Sequence, residues 1–303
     1  MSEQPAEPSR VLVIGDVMID LIVRPEGPLA IGSDRRATIF SRPGGSAANQ
    51  AVWLAHFGLN VSFVGRVGLS DHAAQTEAFR QCGLAPSLAA DRERETGRLI
   101  ALIDPSGERS FLTDRGANDG LSEADIPDAL LGQADHIHLS GYSFVAPSPR
   151  RAVRNAMERA GRAPVSVDPA SAEFLREMGP ANFLEWTRGA QICFPNSEEA
   201  AVLTGSADPE AQIAELARHY PLVVVKRGAE GCEAGAGDQR WRAAAPTVQA
   251  IDTTGAGDAF VAAFLAARLN HATIEDCLTR AAAAGAAATQ SIGGRPAPPP
   301  AAN

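Results

Sequence analysis

Residues 252–260 combine the residue types needed to bind an anion and to accept a proton. Gly255 and Gly257 flank a single alanine, and the carboxylate of Asp258 follows directly. The apolar residues that come next share one face at helical spacing, so we predict that Asp258 lies in the first turn of a helix. The first N–H groups of a helix lack internal partners, and glycines let a phosphate approach them. The pattern indicates an anion site beside a carboxylate, although an ordinary helix entry with Asp258 complementing the dipole explains the same residues.

A second glycine-rich helix entry lies at residues 42–50. Gly44 and Gly45 precede three small residues and Asn49, and apolar side chains at helical spacing follow from Ala51. Small residues allow a ligand to lie against the backbone. The pattern predicts a second ligand-binding helix entry, which in isolation is also explained by helix initiation alone.

Two aspartates follow the first apolar run of the chain, Val11 to Gly15, which predicts a buried parallel strand. Ligands of open α/β sheets bind outside the carboxyl ends of the strands. An ionised carboxylate accepts several hydrogen bonds, so Asp16 or Asp20 could hold the hydroxyls of a polyol there. A capping or turn role is the alternative for each.

Asn196 and Glu199 stand three residues apart where the apolar run Gln191 to Phe194 meets a helical pattern. Oxygen ligands at this spacing suit Mg²⁺, which keeps several waters and engages few protein groups directly. A capping box explains the same spacing through helix stability alone.

Two further features are compatible with a bound nucleotide. Lys226 and Gly228 follow the strongly β-branched run Leu222 to Val225, where a cation could reach phosphates or remain solvated. The small-residue helix predicted at Ala281 to Ala288 could pack against an adenine ring or simply against a sheet.

Strand and helix patterns alternate along most of the chain, which predicts an α/β fold with a mainly parallel sheet covered on both faces. Leu99 to Ile103 and Arg109 to Thr113, around Pro105-Ser106-Gly107, predict a hairpin outside that sheet. Residues 21–43 alternate irregularly, with one short strand-like piece at Ala37 to Ser41.

The proline-rich residues 296–303 predict a frayed tail. The remaining strands are expected at Val61–Val64, Ile137–Leu139 and Val165–Val167, and helices at Asp71–Cys82 and Arg150–Arg159.

Composition excludes several classes of protein. The chain of 303 residues has a net charge of −9, which argues against nucleic-acid binding. The mean hydropathy is −0.09, and no run reaches the ~18 apolar residues of a membrane span. The four cysteines are widely spaced, which predicts reduced, mostly buried thiols in a cytoplasmic protein; they are Cys82, Cys193, Cys232 and Cys277.

Residues 252–260 resemble the C-terminal signature of the ribokinase-like, or PfkB, family of carbohydrate and nucleoside kinases, and residues 42–50 resemble its N-terminal signature. The resemblance spans roughly residues 10 to 295. It implies one kinase domain over residues 1–303, a three-layer α/β/α fold, and a small β lid formed by residues 21–43 and 97–118, with Arg115 to Asn118 closing the lid. It also implies ATP and Mg²⁺ as cofactors and a small sugar as the acceptor.

The resemblance further implies a role for each matching residue. Asp258 would be the catalytic base, and the N–H groups of Gly255, Ala256 and Gly257 would stabilise the transferring phosphoryl group. The acceptor would be held by Asp20, Gly44, Gly45 and Asn49. The nucleotide would be bound by Asn196, Glu199, Lys226, Gly228 and Gly257, with Glu199 reaching Mg²⁺ through water. A monovalent cation such as K⁺ would lie beside Asp252, Thr254, Ser291 and Gly293.

Two departures from the ribokinase pattern bear on the acceptor. Ser46 stands where ribokinases usually carry a lysine, and residues 140–142 lack the glutamate expected of a ribose site. Ketohexoses, keto-deoxy sugars and nucleosides all remain open as acceptors. A non-catalytic sugar- or nucleotide-binding regulator on the same fold is the alternative from another class, and lid strands could pair two subunits into a homodimer.

Overall fold

A computed structural model describes residues 7–29, 32–104, 109–169 and 171–296. Strands within this part of the chain are β1 (Arg10–Ile14), β2 (Met18–Pro25), β3 (Ala37–Gly44), β4 (Asn60–Gly68), β5 (Ala85–Asp91), β6 (Gly97–Ile103), β7 (Arg109–Asp114), β8 (His136–Ser140), β9 (Val165–Asp168), β10 (Ile192–Cys193), β11 (Leu222–Lys226), β12 (Cys232–Ala236) and β13 (Gln239–Ala243). The α-helices are α1 (Ser46–His56), α2 (His72–Gln81), α3 (Asp128–Gln133), α4 (Pro147–Glu158), α5 (Ala172–Met178), α6 (Pro180–Trp186), α7 (Ser197–Thr204), α8 (Pro209–Leu216), α9 (Ala256–Leu269) and α10 (Ile274–Ala288).

The central sheet is mainly parallel, as the alternation of strand and helix patterns predicts. Within the described residues its strand order is β13-β12-β11-β10-β9-β8-β1-β4-β5. The pairs from β11 to β5 run parallel, while β12 and β13 add an antiparallel edge. The carboxyl ends of the parallel strands therefore lie along one edge, which is where ligands bind in such folds.

Strand β1 shows why both faces of this sheet must be covered. Val11 and Val13 pack into one hydrophobic cluster with α1, α9 and α10, whereas Leu12 and Ile14 pack into a second cluster with α4 and α6 on the opposite face. Successive side chains of a strand point to opposite faces, so a strand that is apolar throughout needs a helical layer on each side. The fold is accordingly a three-layer α/β/α arrangement.

A second, smaller sheet has the strand order β3-β2-β6-β7, and we call it the lid sheet. Strands β6 and β7 pair antiparallel with Leu99 opposite Thr113, in the hairpin that the sequence predicts, and its turn residues 105–107 lie outside the described residues. The expectation of an irregular stretch at 21–43 is corrected, because β2 is an eight-residue strand at the centre of the lid sheet. Its alternation is hidden in the sequence because both of its faces carry apolar residues.

The passage from β1 into β2 is fixed by Asn118. The Asn118 Oδ1 accepts a hydrogen bond of 2.8 Å from the N–H of Val17, and its Nδ2 donates to the Val17 carbonyl at 2.9 Å and the Arg115 carbonyl at 2.8 Å. A Cβ on Gly97 would lie 2.5 Å from this amide, so the glycine lets β6 approach the joint. The segment 115–118 thus fixes the base of the strand that carries Asp20.

Other parts of the chain agree with or extend the sequence predictions. The four cysteines are free thiols, and Cys193, Cys232 and Cys277 are buried. Strands β5, β12 and β13 were not expected from the sequence. The tail residues 297–303 lie outside the described residues. None of the helices in the described ranges is long and apolar enough to cross a membrane.

Candidate active site

Asp258 lies in the first turn of α9, as the sequence predicts. The helix begins at Ala256 after Gly255, whose φ of 76° is in the left-handed region that favours glycine. The Asp258 Oδ1 accepts a hydrogen bond of 2.7 Å from Ser46 Oγ, and its Oδ2 accepts one of 3.1 Å from Asn49 Nδ2. The two glycine-rich helix entries therefore meet, with the carboxylate between them.

The surroundings of Asp258 set its ionisation. Burial raises the pKa of this carboxyl from 3.8 to about 7, although the hydrogen bonds from Ser46 and Asn49 favour the charged form and Lys226 also lowers the pKa. The residue remains partly accessible to solvent. A carboxylate with a pKa near neutral pH that can reach a cleft is suited to accept a proton from a bound hydroxyl.

Asp20 projects from β2 toward the backbone of Gly44. The Asp20 Oδ1 is buried and has no hydrogen-bond partner among the described residues. Burial raises the pKa of Asp20 to about 6, with a further increase from Asp16 and a decrease from Arg295. A Cβ at Gly44 would lie 2.1 Å from Asp20 Oδ1, so only glycine leaves room for this carboxyl. An unpaired buried acceptor of this kind is satisfied when a ligand hydroxyl donates to it.

Asp16 has the capping role that was the alternative at the sequence level. Its Oδ2 accepts from the N–H of Ser46 at 2.9 Å and its Oδ1 from the N–H of Ala47 at 3.3 Å, and Ser140 Oγ donates to Oδ1 at 2.8 Å. Gly45, with a φ of 91°, turns the chain into α1. A Cβ there would lie 2.6 Å from the Asp16 carbonyl oxygen. Asp16 and Gly45 therefore fix the start of the helix that carries Ser46 and Asn49.

The segment Gly293 to Arg295 crosses the site, and the contacts of Gly294 and Arg295 were not anticipated from the sequence. Arg295 Nε donates to Asn49 Oδ1 at 3.1 Å, and Arg295 Nη2 donates to the Gly44 carbonyl at 3.3 Å. Trp53 Nε1 donates to the Gly294 carbonyl at 2.9 Å. Burial lowers the pKa of Arg295 to about 10. Because Asn49 Oδ1 faces Arg295, the Asn49 amide nitrogen is directed toward Asp258.

Lys226, at the end of β11, stands close to the Gly255–Gly257 turn. A Cβ built on Gly257 would lie 3.6 Å from Lys226 Nζ. The Nζ donates to Asp168 Oδ2 at 2.8 Å. Although burial disfavours its charge, Asp168 and Glu199 outweigh that effect and raise the pKa of Lys226. The lysine is therefore a largely buried cation beside the N-terminus of α9, where anions are favoured.

A series of buried hydrogen bonds runs from Asp168 to His136. Gln50 Nε2 donates to Asp168 Oδ2 at 3.0 Å, and Gln50 Oε1 lies 2.8 Å from His138 Nε2. Ser166 Oγ then lies 2.7 Å from both His138 Nδ1 and His136 Nε2. Burial lowers the pKa of His138 to about 3 and that of His136 to about 4, so both rings are neutral at pH 7. The series connects α1, β8 and β9 without placing another charge near Lys226.

Asn196 and Glu199 form the capping box that was the alternative to a metal-binding role. Asn196 Oδ1 accepts from the N–H of Glu199 at 2.8 Å, while Glu199 Oε2 and Oε1 accept from the backbone and side-chain nitrogens of Asn196 at 2.8 Å and 2.7 Å. Burial raises the pKa of Glu199, which Lys226 partly offsets. Both Glu199 oxygens are engaged by Asn196, and contact of Glu199 with Mg²⁺ through water stays a prediction. Within the described ranges, no three Asp, Glu, His or Cys side chains cluster as metal ligands.

A cavity of about 370 Å³ lies beside Ala256 and Gly257. It lies against Phe260 of α9, residues 245–248 and the small residues of α10, and its lining includes Gly228, Ala256, Gly257, Ala282, Gly285 and Ala286. Gly285 approaches α9 closely, since a Cβ there would lie 3.1 Å from the Ala256 carbonyl. The small residues of α10 thus both pack against α9 and shape an apolar cavity, which has the size and lining of a small-molecule site.

The residues expected to hold a monovalent cation lie together in part. Asp252 Oδ1 accepts from the N–H and Oγ1 of Thr254 at 3.0 Å and 2.7 Å, and its Oδ2 accepts from the N–H of Gly293 at 3.0 Å. Ser291 Oγ donates to the Ala288 carbonyl at 3.4 Å. Asp252 therefore connects Thr254, just before the Gly255–Gly257 turn, to the segment Gly293 to Arg295. A cation role stays a prediction.

Comparison with known proteins agrees with this geometry. A family profile described as "pfkB family carbohydrate kinase" matches residues 8–301. The chain belongs to the PfkB family of carbohydrate kinases. It is 31% identical to an ATP-dependent ribose-1-phosphate kinase of Halopiger xanaduensis, with 95% of each chain covered. It is 30% identical to a fructokinase of Salmonella typhimurium, with 94% of each chain covered.

Among solved structures, the adenosine kinase of Sinorhizobium meliloti superposes with a TM-score of 0.86 at 26% identity, covering 96% of each chain. The ribokinase-like fold and the membership of the PfkB family confirm the interpretation of the two signatures. The protein is a phosphotransferase, a sugar or nucleoside kinase of this family.

Proposed function

We propose that this PfkB protein transfers the γ-phosphoryl group of ATP to a hydroxymethyl group of a small sugar, with Asp258 as the general base. The observation that carries the proposal is the position of Asp258. Its carboxyl is hydrogen-bonded to Ser46 and Asn49 of α1, it follows Gly257, which lines the cavity, and its pKa is raised to about 7.

The acceptor side supplies the nucleophile. A sugar hydroxyl that donates to the unpaired Oδ1 of Asp20 is held beside α1, with its hydroxymethyl group directed toward Asp258. Asp258 takes the hydroxyl proton as the new O–P bond forms and the bond between the γ-phosphorus and the β-phosphate oxygen breaks, releasing ADP. Ser46 and Asn49 orient the carboxylate, so that it needs little rearrangement during the reaction.

The phosphate side supplies electrostatic stabilisation. The N–H groups of Gly255, Ala256 and Gly257 at the start of α9 would donate to the transferring phosphoryl oxygens, with the Ala256 N–H exchanging its 3.3 Å hydrogen bond to the Thr253 carbonyl. Lys226 adds a positive charge close to Gly257. Such positioning and electrostatics account for most of the catalysis of phosphoryl transfer. Mg²⁺ bound with ATP would neutralise phosphate charge, and Glu199 would hold it through water.

A nucleoside acceptor is the second candidate, favoured by the structural similarity to an adenosine kinase. The lining of the cleft beneath the lid sheet favours a sugar. Of the described residues that line this cleft, Phe111 is the one aromatic side chain, whereas a nucleobase is usually held by stacking on aromatic rings.

The test is ATP turnover across pentoses, ketohexoses, keto-deoxy sugars and nucleosides, with wild type and Asp258→Asn compared. We expect at least one acceptor to be phosphorylated and kcat to fall by about two to four orders of magnitude in the variant, while ATP binding measured by calorimetry is retained. Full activity in Asp258→Asn contradicts the assigned base. Ligand binding without turnover in the whole panel supports the non-catalytic regulator instead.

Stability measurements separate this loss from unfolding. Because the folded-state pKa of Asp258 lies above its ordinary value of 3.8, the folded protein holds the proton more tightly, and stability decreases as pH rises from about 4 to 7. Asp258→Asn removes this cost. The melting temperature of the variant at pH 8 is therefore expected to be no lower than that of wild type.

A further inference from the structure

The inner face of the lid sheet carries two arginines that no described residue neutralises. Side chains alternate between the faces of a strand, and the strand register places Arg42 opposite Asp20 and Ile22 opposite both Phe40 and Ala101. Arg24 lies two inward positions beyond Asp20 on the same strand. Both arginines line the cleft between the lid sheet and the segment Ile292 to Gly294.

Phe40 holds these arginines side by side. The guanidinium carbon of Arg42 lies 5.1 Å from the centre of the Phe40 ring, and that of Arg24 lies 5.9 Å from the same centre. Stacking on one ring keeps two like charges close without a carboxylate between them. Within the described ranges, neither arginine has an ion pair with an aspartate or glutamate.

Among the described residues, the acidic side chains that line this cleft form no ion pair with Arg24 or Arg42. The Asp252 carboxylate, which lines the same cleft, accepts hydrogen bonds from Thr254 and Gly293. The cation that lowers the pKa of Asp20 is Arg295, while burial and Asp16 raise it. The whole chain carries a net charge of −9, so a pair of unneutralised arginines facing a ligand cleft is a local exception to its charge.

From this we infer that the acceptor carries an oxyanion, a phosphate or a carboxylate, at the end remote from the reacting hydroxymethyl group, and that Arg24 and Arg42 bind it. The inference rests on the proposed kinase function and specifies its substrate class. Guanidinium groups match the geometry of oxyanions and bind them through charge-assisted hydrogen bonds. Asp20 then holds a hydroxyl in the middle of the acceptor, between the arginine pair and Asp258.

The experiment compares kcat/KM for acceptors with and without the anion. Ribose 1-phosphate is paired with ribose, fructose 1-phosphate with fructose, and 2-keto-3-deoxygluconate represents the carboxylates. We expect at least a tenfold preference for one anionic acceptor. Arg24→Ala and Arg42→Ala should each reduce the ratio of anionic to neutral kcat/KM about tenfold or more, as expected for the loss of a hydrogen bond to a charged group.

Arg98→Ala is the matched control, because Arg98 lies on β6 of the same sheet opposite Ile19, and alternation along the strand directs it to the face opposite that of Asp20. Its ratio should equal that of wild type. A phosphate preference with no response to 2-keto-3-deoxygluconate identifies the anion as a phosphate, and the reverse result identifies a carboxylate. Phosphorylation of neutral sugars with an unchanged ratio in both arginine variants overturns the inference and leaves the kinase function standing.

A binding measurement covers the case in which no acceptor of the panel is phosphorylated, which would count against the proposed function. Ribose 1-phosphate, fructose 1-phosphate and 2-keto-3-deoxygluconate are titrated calorimetrically into wild type and the Arg24→Ala/Arg42→Ala double variant without ATP. Binding to wild type that is at least tenfold weaker in the double variant supports the anion site. Equal affinities, or no binding of any of the three to wild type, overturn it.

Discussion

Ser46 is the residue with the most direct control over the ionisation of Asp258. Its hydroxyl donates to Asp258 Oδ1 at 2.7 Å, and this bond lowers the carboxyl pKa more than the bond from Asn49 does. In the sequence, Ser46 is notable only because it replaces the lysine of the ribokinase pattern. In the structure it is a positioning residue for the base.

The pH dependence of Ser46→Ala tests this role. Activity needs ionised Asp258, so kcat/KM of wild type should fall as the pH drops through about 7. Removing a donor to the charged form raises the pKa, and we expect the acidic limb of the profile to move to higher pH by about one unit. Ser46→Thr, which retains a hydroxyl, should restore the wild-type limb. An identical profile for Ser46→Ala and wild type contradicts the assignment.

The sequence identifies the site residues that local patterns mark and misses those that only the fold brings in. Asp258 is recognisable because it sits at a predictable helix start, whereas Asp20 is selected by the family resemblance and lies inside β2 rather than at the end of β1. Arg295 is not, because it precedes a proline-rich tail that predicts disorder and reaches Asn49 across 246 positions of sequence. Gln50 likewise looks like one residue of a helix, and its bridge from Asp168 to His138 depends on the sheet order.

At the scale of elements, the segment Gly293 to Arg295 joins the starts of α1 and α9. Arg295 bonds Asn49 and Gly44, Gly293 bonds Asp252, and a Cβ on Gly255 would lie 2.4 Å from the Cα of Gly294. The guanidinium also lies 5.2 Å from the centre of the Phe79 ring. A short segment without regular secondary structure thus links the N-terminal ends of α1 and α9.

Arg295→Met keeps an apolar side chain against Phe79 and removes both hydrogen bonds. Since Asn49 then loses the partner that orients its amide, we expect kcat/KM for the acceptor to fall about tenfold to a hundredfold. KM for ATP should change little, because the cavity beside Gly257 is not in contact with this guanidinium. Steady-state kinetics with each substrate varied in turn provide the measurement.

Arg268→Met serves as the control, because Arg268 is exposed at the far end of α9. Its kinetic constants should match those of wild type. If Arg295→Met raises KM for ATP as much as KM for the acceptor, the segment acts on the whole site rather than on Asn49.

The sequence predicts well those strands and helices whose apolar residues form a run or recur at a regular spacing. Strands β1 and β11 are nearly continuous apolar runs, polar residues such as Ser62 and His138 interrupt β4 and β8, and all four strands include the expected segments. Strand β12, with the sequence Cys-Glu-Ala-Gly-Ala, and edge strand β13, with alternating arginines, lack such a run. Their formation depends on pairing with β11, which no local pattern displays.

At the scale of the whole molecule, the outer face of the lid sheet is apolar and exposed. Ile39 is 62% exposed and Leu112 is 65% exposed. The other apolar residues on this face, by the alternation of the strands, are Ile19, Leu21, Val23, Ile100 and Leu102. Large exposed apolar patches are typical of interaction surfaces, so the hypothesis of a homodimer through the lid stays a prediction with a defined surface.

Sedimentation velocity at micromolar concentration tests the dimer. Wild type is expected to sediment as a dimer and Leu112→Glu as a monomer, because burying a carboxylate at the centre of an apolar interface is costly. Leu69→Glu, at a site 54% exposed on the main body, should remain dimeric. A monomeric wild type removes the hypothesis.

Within the described residues, the lid sheet shares no strand pairing with the central sheet. Asp20, Arg24 and Arg42, which we propose bind the acceptor, are therefore carried by a different sheet from the one that positions Lys226. Replacements on the lid can change the accepted molecule while the reaction chemistry stays the same. This separation makes the protein evolvable. A small combinatorial library at Ile22, Arg24, Arg42, Ala101 and Phe111 would sample new acceptors while leaving α9 and Lys226 unchanged.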